Sequence, residues 1–368
     1  MTRARPRGLL RVIVALVLAS SLVACGGGGD GGGFGSSSSS GGSSSSGGSS
    51  SSSSSSSSGG PPTDAQRIAA ASSTAANNAT CAAIEPFYWE IGNAVQKLAG
   101  ATEPATATAP DDTTVMQLFS ATKWLFSSFV VQFRGGAAQL SQDDIRGLNM
   151  TSGYVNMVND SCLPNQTVGE CDQNATGGIS SEIGTFHYNS GHFQHLGANG
   201  GFGINAEGVV GLETSMDLQL GSDLTYSWNA PELAGGAFDS PGGYARFLRK
   251  ILDGTLLMGA ALGSNAVATQ PATTGCVDGT TTCVPGPPFT SEDLHYSLGH
   301  WVEDDPASMG DGAFSSPGYY GFYPWIDSTS TWYGIVARDV DTSSSAAFSG
   351  SINCGRLIRR AWLTGIQQ

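Results

Sequence analysis

The sequence predicts an α+β fold in which the two ends of one domain share a sheet and a mainly helical region is inserted between them. Three observations carry this reading. The run Pro86-Phe87-Tyr88-Trp89-Glu90-Ile91-Gly92, aromatic and β-branched, reads as a strand early in the chain. A nearly uncharged apolar segment from Val115 to Phe133, with Lys123 as its only charge, reads as a buried helix that opens the middle region. Strand character returns near the end, at Tyr296 to Glu303, Tyr319 to Ile326 and Thr331 to Ala337.

Ahead of the fold, Arg3, Arg5, Arg7 and Arg11 precede an apolar run from Val12 to Val23 that ends at Leu22-Val23-Ala24-Cys25. A run of roughly a dozen apolar residues is short of the about 20 that span a bilayer, so residues 1–24 read as a cleavable signal peptide. Small residues directly before a Cys resemble the lipobox of bacterial lipoproteins. Cys25 is therefore expected to carry the lipid, which anchors an exported protein to a membrane of the cell envelope. Gly26, where an Asp would retain such a protein, points to the outer membrane if the organism has one.

Residues 25–62 are almost only Gly and Ser and cannot bury enough apolar surface to order themselves, so they form a tether closed by Pro61-Pro62. Residues 63–368 are expected to form one large domain, with sheet parts at about 80–112 and 290–368 and a helical part at about 113–289. Between about 141 and 262 helical pieces alternate with Gly-rich loops, the clearest helix running from Tyr244 to Leu257. A last helix, Ala346 to Leu363, carries Ile352, Leu357, Ile358 and Trp362 at helical spacing.

The 368 residues hold 16 basic and 30 acidic side chains, a formal charge of −14 that becomes −18 once the four leader arginines are gone. Nucleic acid is excluded as a partner, because binding it needs a basic footprint. A monomer is expected. Six cysteines follow Cys25, an even number in a chain bound for an oxidising space. Cys162 with Cys171, and Cys276 with Cys283, each bracket a loop rich in turn residues; elimination leaves Cys81 for Cys354. Their spacing does not suit zinc, and no metal or other cofactor is expected.

The chemistry starts at Ser120-Ala121-Thr122-Lys123. Residues three apart share a helix face, so an amine lies beside a hydroxyl at the head of a buried segment. An amine in apolar surroundings loses stability in its charged form and can take the hydroxyl proton as a general base. The motif alone is weak, since a Lys in this position can simply snorkel from a core helix.

From about Pro86 onward, discontinuously, the sequence resembles the serine β-lactamase and penicillin-binding-protein superfamily. The likeness is greatest to its class C, esterase and 6-aminohexanoate-dimer-hydrolase branch. After Ser120 and Lys123, the stretch Ile145-Arg146-Gly147-Leu148-Asn149-Met150-Thr151-Ser152-Gly153-Tyr154 resembles the family's LLTHTSG segment. Phe186-His187-Tyr188-Asn189-Ser190-Gly191, continuing to Gly197, resembles its F-x-Y-S-N element, with Tyr188 in the place of the catalytic tyrosine. Leu233-Ala234-Gly235-Gly236-Ala237, followed by Tyr244-Ala245-Arg246-Phe247, resembles the AGG segment and its D-x-A-R-F continuation. Ser316-Pro317-Gly318-Tyr319, continuing to Asp327, resembles the strand that bears the third motif, usually [KH]-T-G.

The resemblance implies a β-lactamase/transpeptidase-like fold, an antiparallel sheet flanked by helices. It also implies a serine hydrolase in which Ser120 is the nucleophile, Lys123 the base and Tyr188 the proton shuttle. Ser190, Ser316 and Gly318 would support them, and the backbone N–H groups of Ser120 and Tyr319 would hold the oxyanion. Two departures bear on substrate. The second motif ends in Ser190 where the family has Asn, so its reach to Lys123 is shorter. The third has Ser316 where a Lys or His would meet a substrate carboxylate, which favours uncharged small-molecule esters or amides over β-lactams and peptide C-termini. A β-lactamase, a DD-peptidase-like protein and a non-catalytic binding lipoprotein remain the alternatives.

His187, His192 and His195 fall close together, but there is no Gly-x-Ser-x-Gly elbow to make them part of a Ser-His-Asp triad, and no ligand spacing for zinc. His295 and His300 read as packing or surface residues. The aromatic run Tyr319, Tyr320, Phe322, Tyr323 and Trp325 suits sheet core, or else the wall of an apolar acyl pocket.

Overall fold

The computed structural model describes residues 60–368 apart from 107, 158–160, 176, 271–288, 290 and 341–345. The leader, Cys25, nearly all of the tether and the expected Cys276–Cys283 pair lie outside the described residues. In chain order the elements are α1 (Asp64–Asn77), α2 (Ala79–Ala82), β1 (Phe87–Asn93), β2 (Lys97–Glu103), β3 (Met116–Gln117), α3 (Thr122–Arg134), α4 (Gln142–Leu148), β4 (Ser152–Tyr154), α5 (Val168–Ala175), β5 (Gly178–Ile183), α6 (Gly191–Asn199) and α7 (Val209–Leu220). They continue with β6 (Ser227–Trp228), β7 (Ala237–Asp239), α8 (Pro241–Leu252), α9 (Met258–Ala261), β8 (Val267–Ala268), β9 (His295–Ser297), β10 (His300–Glu303), β11 (Ala313–Ser315), β12 (Tyr323–Ile326), β13 (Trp332–Ala337) and α10 (Ala346–Thr364).

The main sheet has the strand order β2-β1-β13-β12-β11-β10-β9-β8, every neighbouring pair antiparallel. The two ends of the domain therefore meet where β1 lies against β13, with Trp89 opposite Val336. Residues Phe87 to Gly92 are all buried, which explains a strand without polar alternation: both of its faces are covered. α1 and α10 pack on one another, and the Cys81–Cys354 disulfide joins α2 to α10 with Cα atoms 4.8 Å apart. Cys162 pairs with Cys171. Arg359 of α10, fully buried, binds Glu303 at 2.7 Å, Asp311 at 2.7 Å and the Tyr323 hydroxyl at 2.8 Å, and so fixes the register of α10 on the sheet. A buried pair of this kind specifies position more than it stabilises.

α3 runs through the centre of the molecule, buried from Thr122 to Val131. Gly135, with φ of 84°, takes the left-handed conformation that ends it. The apolar run from Val115 is not one helix, however. Met116–Gln117 is a strand, Phe119–Ala121 a 3-10 turn, and α3 starts only at Thr122, because Phe119 has φ of 45° and cannot propagate a helix. The stretch Tyr296–Glu303 is likewise two strands, turned at Leu298 and Gly299 with φ of 37° and 86°. Tyr319 and Tyr320 precede their strand, which begins at Tyr323, and the Tyr244–Leu257 segment is helical from Pro241 to Leu252.

Candidate active site

The site is built where a small sheet, the head of α3 and the main sheet meet. β3 pairs with β7, Met116 opposite Asp239 and Gln117 opposite Phe238, so the chain enters the 3-10 turn on a fixed course. The Tyr244 hydroxyl donates to the Ala121 carbonyl at 2.9 Å, and the Thr122 hydroxyl accepts the Ala237 N–H at 3.3 Å. Ser120 is thus held in a braced 3-10 turn two residues ahead of the start of α3 rather than on that helix itself.

Lys123 lies one turn further on. Its Nζ donates to Ser120 Oγ at 3.0 Å and to the Ala234 carbonyl at 2.9 Å. The side chain is 3 % exposed, and burial draws its pKa from 10.5 down to about 7, with the carboxylate of Glu232 opposing the fall. Ser190 is buried at the head of α6, and the carbonyl of Ala234 accepts a second hydrogen bond from the amine. Gln194 holds the segment that carries Ala234 and Glu232, since its amide donates to the Pro231 carbonyl at 3.1 Å and accepts the Leu233 N–H at 3.1 Å.

Tyr188 sits in the connection between β5 and α6. Its ring stacks on Trp301 at 5.3 Å and meets Tyr296 edge-on at 5.9 Å, and Lys123 Nζ lies 5.0 Å from its centroid. Burial pushes the phenol up to about 12, while a hydrogen bond with the Ser120 side chain pulls the other way. At neutral pH the group is therefore a protonated phenol, a donor rather than a base.

The third side is the segment after β11. Ser316 Oγ donates to the Ser120 carbonyl at 3.0 Å, so this hydroxyl braces the backbone of Ser120. At Gly318 an added Cβ would lie 2.3 Å from the Leu118 carbonyl oxygen; only glycine permits this segment to approach the turn so closely. Gly318 N–H bonds Phe322 at 2.7 Å, whereas the N–H groups of Ser120 and Tyr319 donate to no acceptor among the described residues.

The histidines are dispersed. His187 pairs with Glu182 at 2.8 Å, His195 with Asp172 at 3.2 Å and His295 with Asp304 at 2.7 Å. His192 is buried against Ser152, its pKa pushed down to about 3 by desolvation, and buried His300 stacks on Trp124. Sequence reasoning passed over Glu232, Gln194, Trp301 and the Ala234 carbonyl. Of these, Ala234 and Gln194 lay in the Leu233–Ala237 and Phe186–Gly197 segments, which carried a likeness but gave neither residue a role.

Comparison with solved structures places the architecture. The chain is similar to a proposed β-lactamase from Bacteroides dorei, at 20% identity and a TM-score of 0.52, covering 75% of this chain and 93% of that one. It is similar to EstCE1, a hydrolase with promiscuous acyltransferase activity, at 13% identity and a TM-score of 0.56, covering 82% and 98%. A proposed 6-aminohexanoate-dimer hydrolase from Bacillus anthracis aligns at 13% identity and a TM-score of 0.51, covering 78% and 82%. No protein-family model matches the chain, and no curated protein does. The chain has the β-lactamase and penicillin-binding-protein fold, with an antiparallel sheet and flanking helices.

Proposed function

We propose that the chain is a serine hydrolase that cleaves a carboxylic ester or amide through an acyl-enzyme on Ser120. The observation that carries this reading is the Lys123 amine, buried, 3.0 Å from Ser120 Oγ and poised at about 7. Such an amine is neutral often enough at physiological pH to accept the serine proton as Oγ attacks the acyl carbon. Tyr188, protonated and bonded to Ser120, is suited to pass that proton to the leaving group. The N–H groups of Ser120 and Tyr319, which have no internal acceptor among the described residues, are suited to receive the oxyanion. Hydrolases share the fold, which supports the general class.

Ser316 favours an uncharged substrate. Its hydroxyl is committed to the Ser120 carbonyl, and it brings no cation to meet a carboxylate. Ser120→Ala, Lys123→Ala and Tyr188→Phe should be nearly equally inactive on a short-chain p-nitrophenyl ester while remaining folded, because groups that act as one unit lose activity non-additively. A Ser120→Ala protein with wild-type turnover would end the proposal; efficient nitrocefin turnover would move the substrate to β-lactams. We further propose attachment to a membrane through lipid on Cys25, which Cys25→Ser should release into the soluble fraction.

A further inference from the structure

Two aromatic side chains flank Ser120 without a role for their rings in the chemistry above. Phe119 directly precedes the nucleophile, and Tyr319 supplies the proposed oxyanion donor through its backbone. Phe119 has φ of 45°, a region that a bulky residue rarely adopts and that glycine would fill without strain. A ring retained at such a position is held by its contacts. Its centroid is 4.3 Å from that of Tyr320 and 6.1 Å from that of Tyr319. Tyr319 and Tyr320 are 5.8 Å apart, and buried Phe348 supports Tyr319 from beneath at 5.6 Å.

The sequence left these tyrosines as either sheet core or the wall of a pocket, and burial divides the run. Phe322, Tyr323 and Trp325 are core, at 1 % exposure or less, whereas Tyr319 is 38 % exposed. An exposed ring continuous with the residue before the nucleophile is not explained by packing. Nor does the third motif bring a charge to this wall: Ser316, at the place where relatives carry a base, is buried and spends its donor on Ser120.

We propose that the rings of Phe119, Tyr319 and Tyr320 form the subsite for an uncharged, apolar and preferentially aromatic group of the substrate. This rests on Ser120 as nucleophile, since the subsite is defined by its distance from the scissile carbonyl. Edge and face contacts within such a cluster favour a planar ring over a chain of equal area, and a buried carboxylate would meet no partner there.

The test is kcat/KM for paired substrates in two series, p-nitrophenyl acetate against p-nitrophenyl 3-phenylpropanoate, and trifluoroethyl acetate against phenyl acetate. Taking the ratio within each pair, and comparing it between wild type and variant, removes intrinsic ester reactivity. Wild type should favour the aryl member in at least one series. Phe119→Leu, Tyr320→Ala and the surface variant Tyr319→Ala should each lower that preference by about tenfold, the discrimination expected of an apolar pocket. Tyr319→Ala keeps the backbone N–H and alters an exposed side chain, so it reads the subsite even if Phe119→Leu fails to fold. Unchanged ratios in both series, in protein whose Ser120 is labelled by a fluorophosphonate, would overturn the subsite and leave the hydrolase standing. Failure of the wild type to be labelled at Ser120 would overturn both.

Discussion

The titration of Lys123 makes the sharpest prediction, because under the proposed chemistry the burial that frees its amine as a base also sets the pH at which activity appears. An ordinary lysine, with a pKa near 10.4, is neutral in roughly one molecule in a few thousand at pH 7. With its pKa at about 7, Lys123 is neutral in about half of the molecules. Buried placement thus raises the fraction of competent base by about three orders of magnitude at neutral pH. In free energy, the fall from 10.5 to about 7 corresponds to about 5 kcal/mol of selective destabilisation of the ammonium form. Only the neutral amine accepts a proton, so kcat/KM on a p-nitrophenyl ester should rise tenfold per pH unit up to about pH 6, bend near 7 and level off by about 8. Stability should follow in the same direction. The native state binds fewer protons than the unfolded chain between about pH 7 and 10.5, so the cost of burying Lys123 is complete below 7 and is relieved as pH climbs through that window. Stopped-flow hydrolysis between pH 5 and 9 measures the first effect, and denaturant unfolding between pH 7 and 9.5 the second. An acid limb centred below pH 5, or activity that keeps climbing past pH 9, would refute the assignment of Lys123 as a buried base.

Three further outcomes follow from the geometry. Glu232 opposes the fall of the Lys123 pKa, so Glu232→Gln should move the acid limb of the same profile to lower pH, and an unmoved limb would remove Glu232 from the site's electrostatics. Gly318→Ala places a methyl group 2.3 Å from the Leu118 carbonyl and must displace the connection between β11 and β12 that carries Tyr319; a loss of about 10²-fold in kcat/KM is expected, the size of losing one oxyanion donor. The Cys81–Cys354 bridge spans a sequence separation of 273, and replacing both cysteines by serine should lower stability to urea by up to about 5 kcal/mol in the chain-entropy picture, with unchanged midpoints counting against a constraint on the unfolded chain.

The residues whose contacts are local in sequence were the ones legible beforehand. Ser120 and Lys123 are three apart, and any turn of helix-like backbone brings them together, so the pair could be named even though its turn was read wrongly. Tyr188 could be named because its surroundings in sequence, from Phe186 to Gly197, form a recognisable element. The overall architecture was legible for a related reason: β1 and β13 are rich in aromatic and aliphatic residues and buried along almost their whole length, and such strands at opposite ends of a chain can cover one another in one sheet. Glu232, Gln194 and Trp301 were not legible. Ala234 reaches Lys123 across 111 positions, and nothing in either local sequence fixes which carbonyl will meet the amine. The turns at Phe119 and at Leu298–Gly299 were missed for another reason. Hydrophobic periodicity reports which face of a segment is apolar and not where its backbone turns, and both turns lie inside runs whose composition reads as one continuous element.

The two departures from the family pattern act on different parts of the reaction. Near the second motif the backbone carbonyl of Ala234 accepts from Lys123 and fixes the amine. Under the proposed chemistry the base is thus positioned by a main-chain group that mutation of side chains cannot easily remove. At the third motif no cation is supplied. Ser316 points back at the Ser120 carbonyl, and the cation that would have gripped a substrate carboxylate has been exchanged for a brace on the nucleophile. Binding energy that a charged anchor would have supplied must then come from elsewhere if the transition state is to be held. The groups within reach of Ser120 that can supply it are apolar: Tyr188 on Trp301 on one side, and the continuous rings of Phe119, Tyr320 and exposed Tyr319 on the other. Under the proposed chemistry, an enzyme so arranged should gain more in kcat/KM from an added ring on its substrate than from an added carboxylate, and reinstating the cation by Ser316→Lys should narrow that difference at the cost of the brace on Ser120.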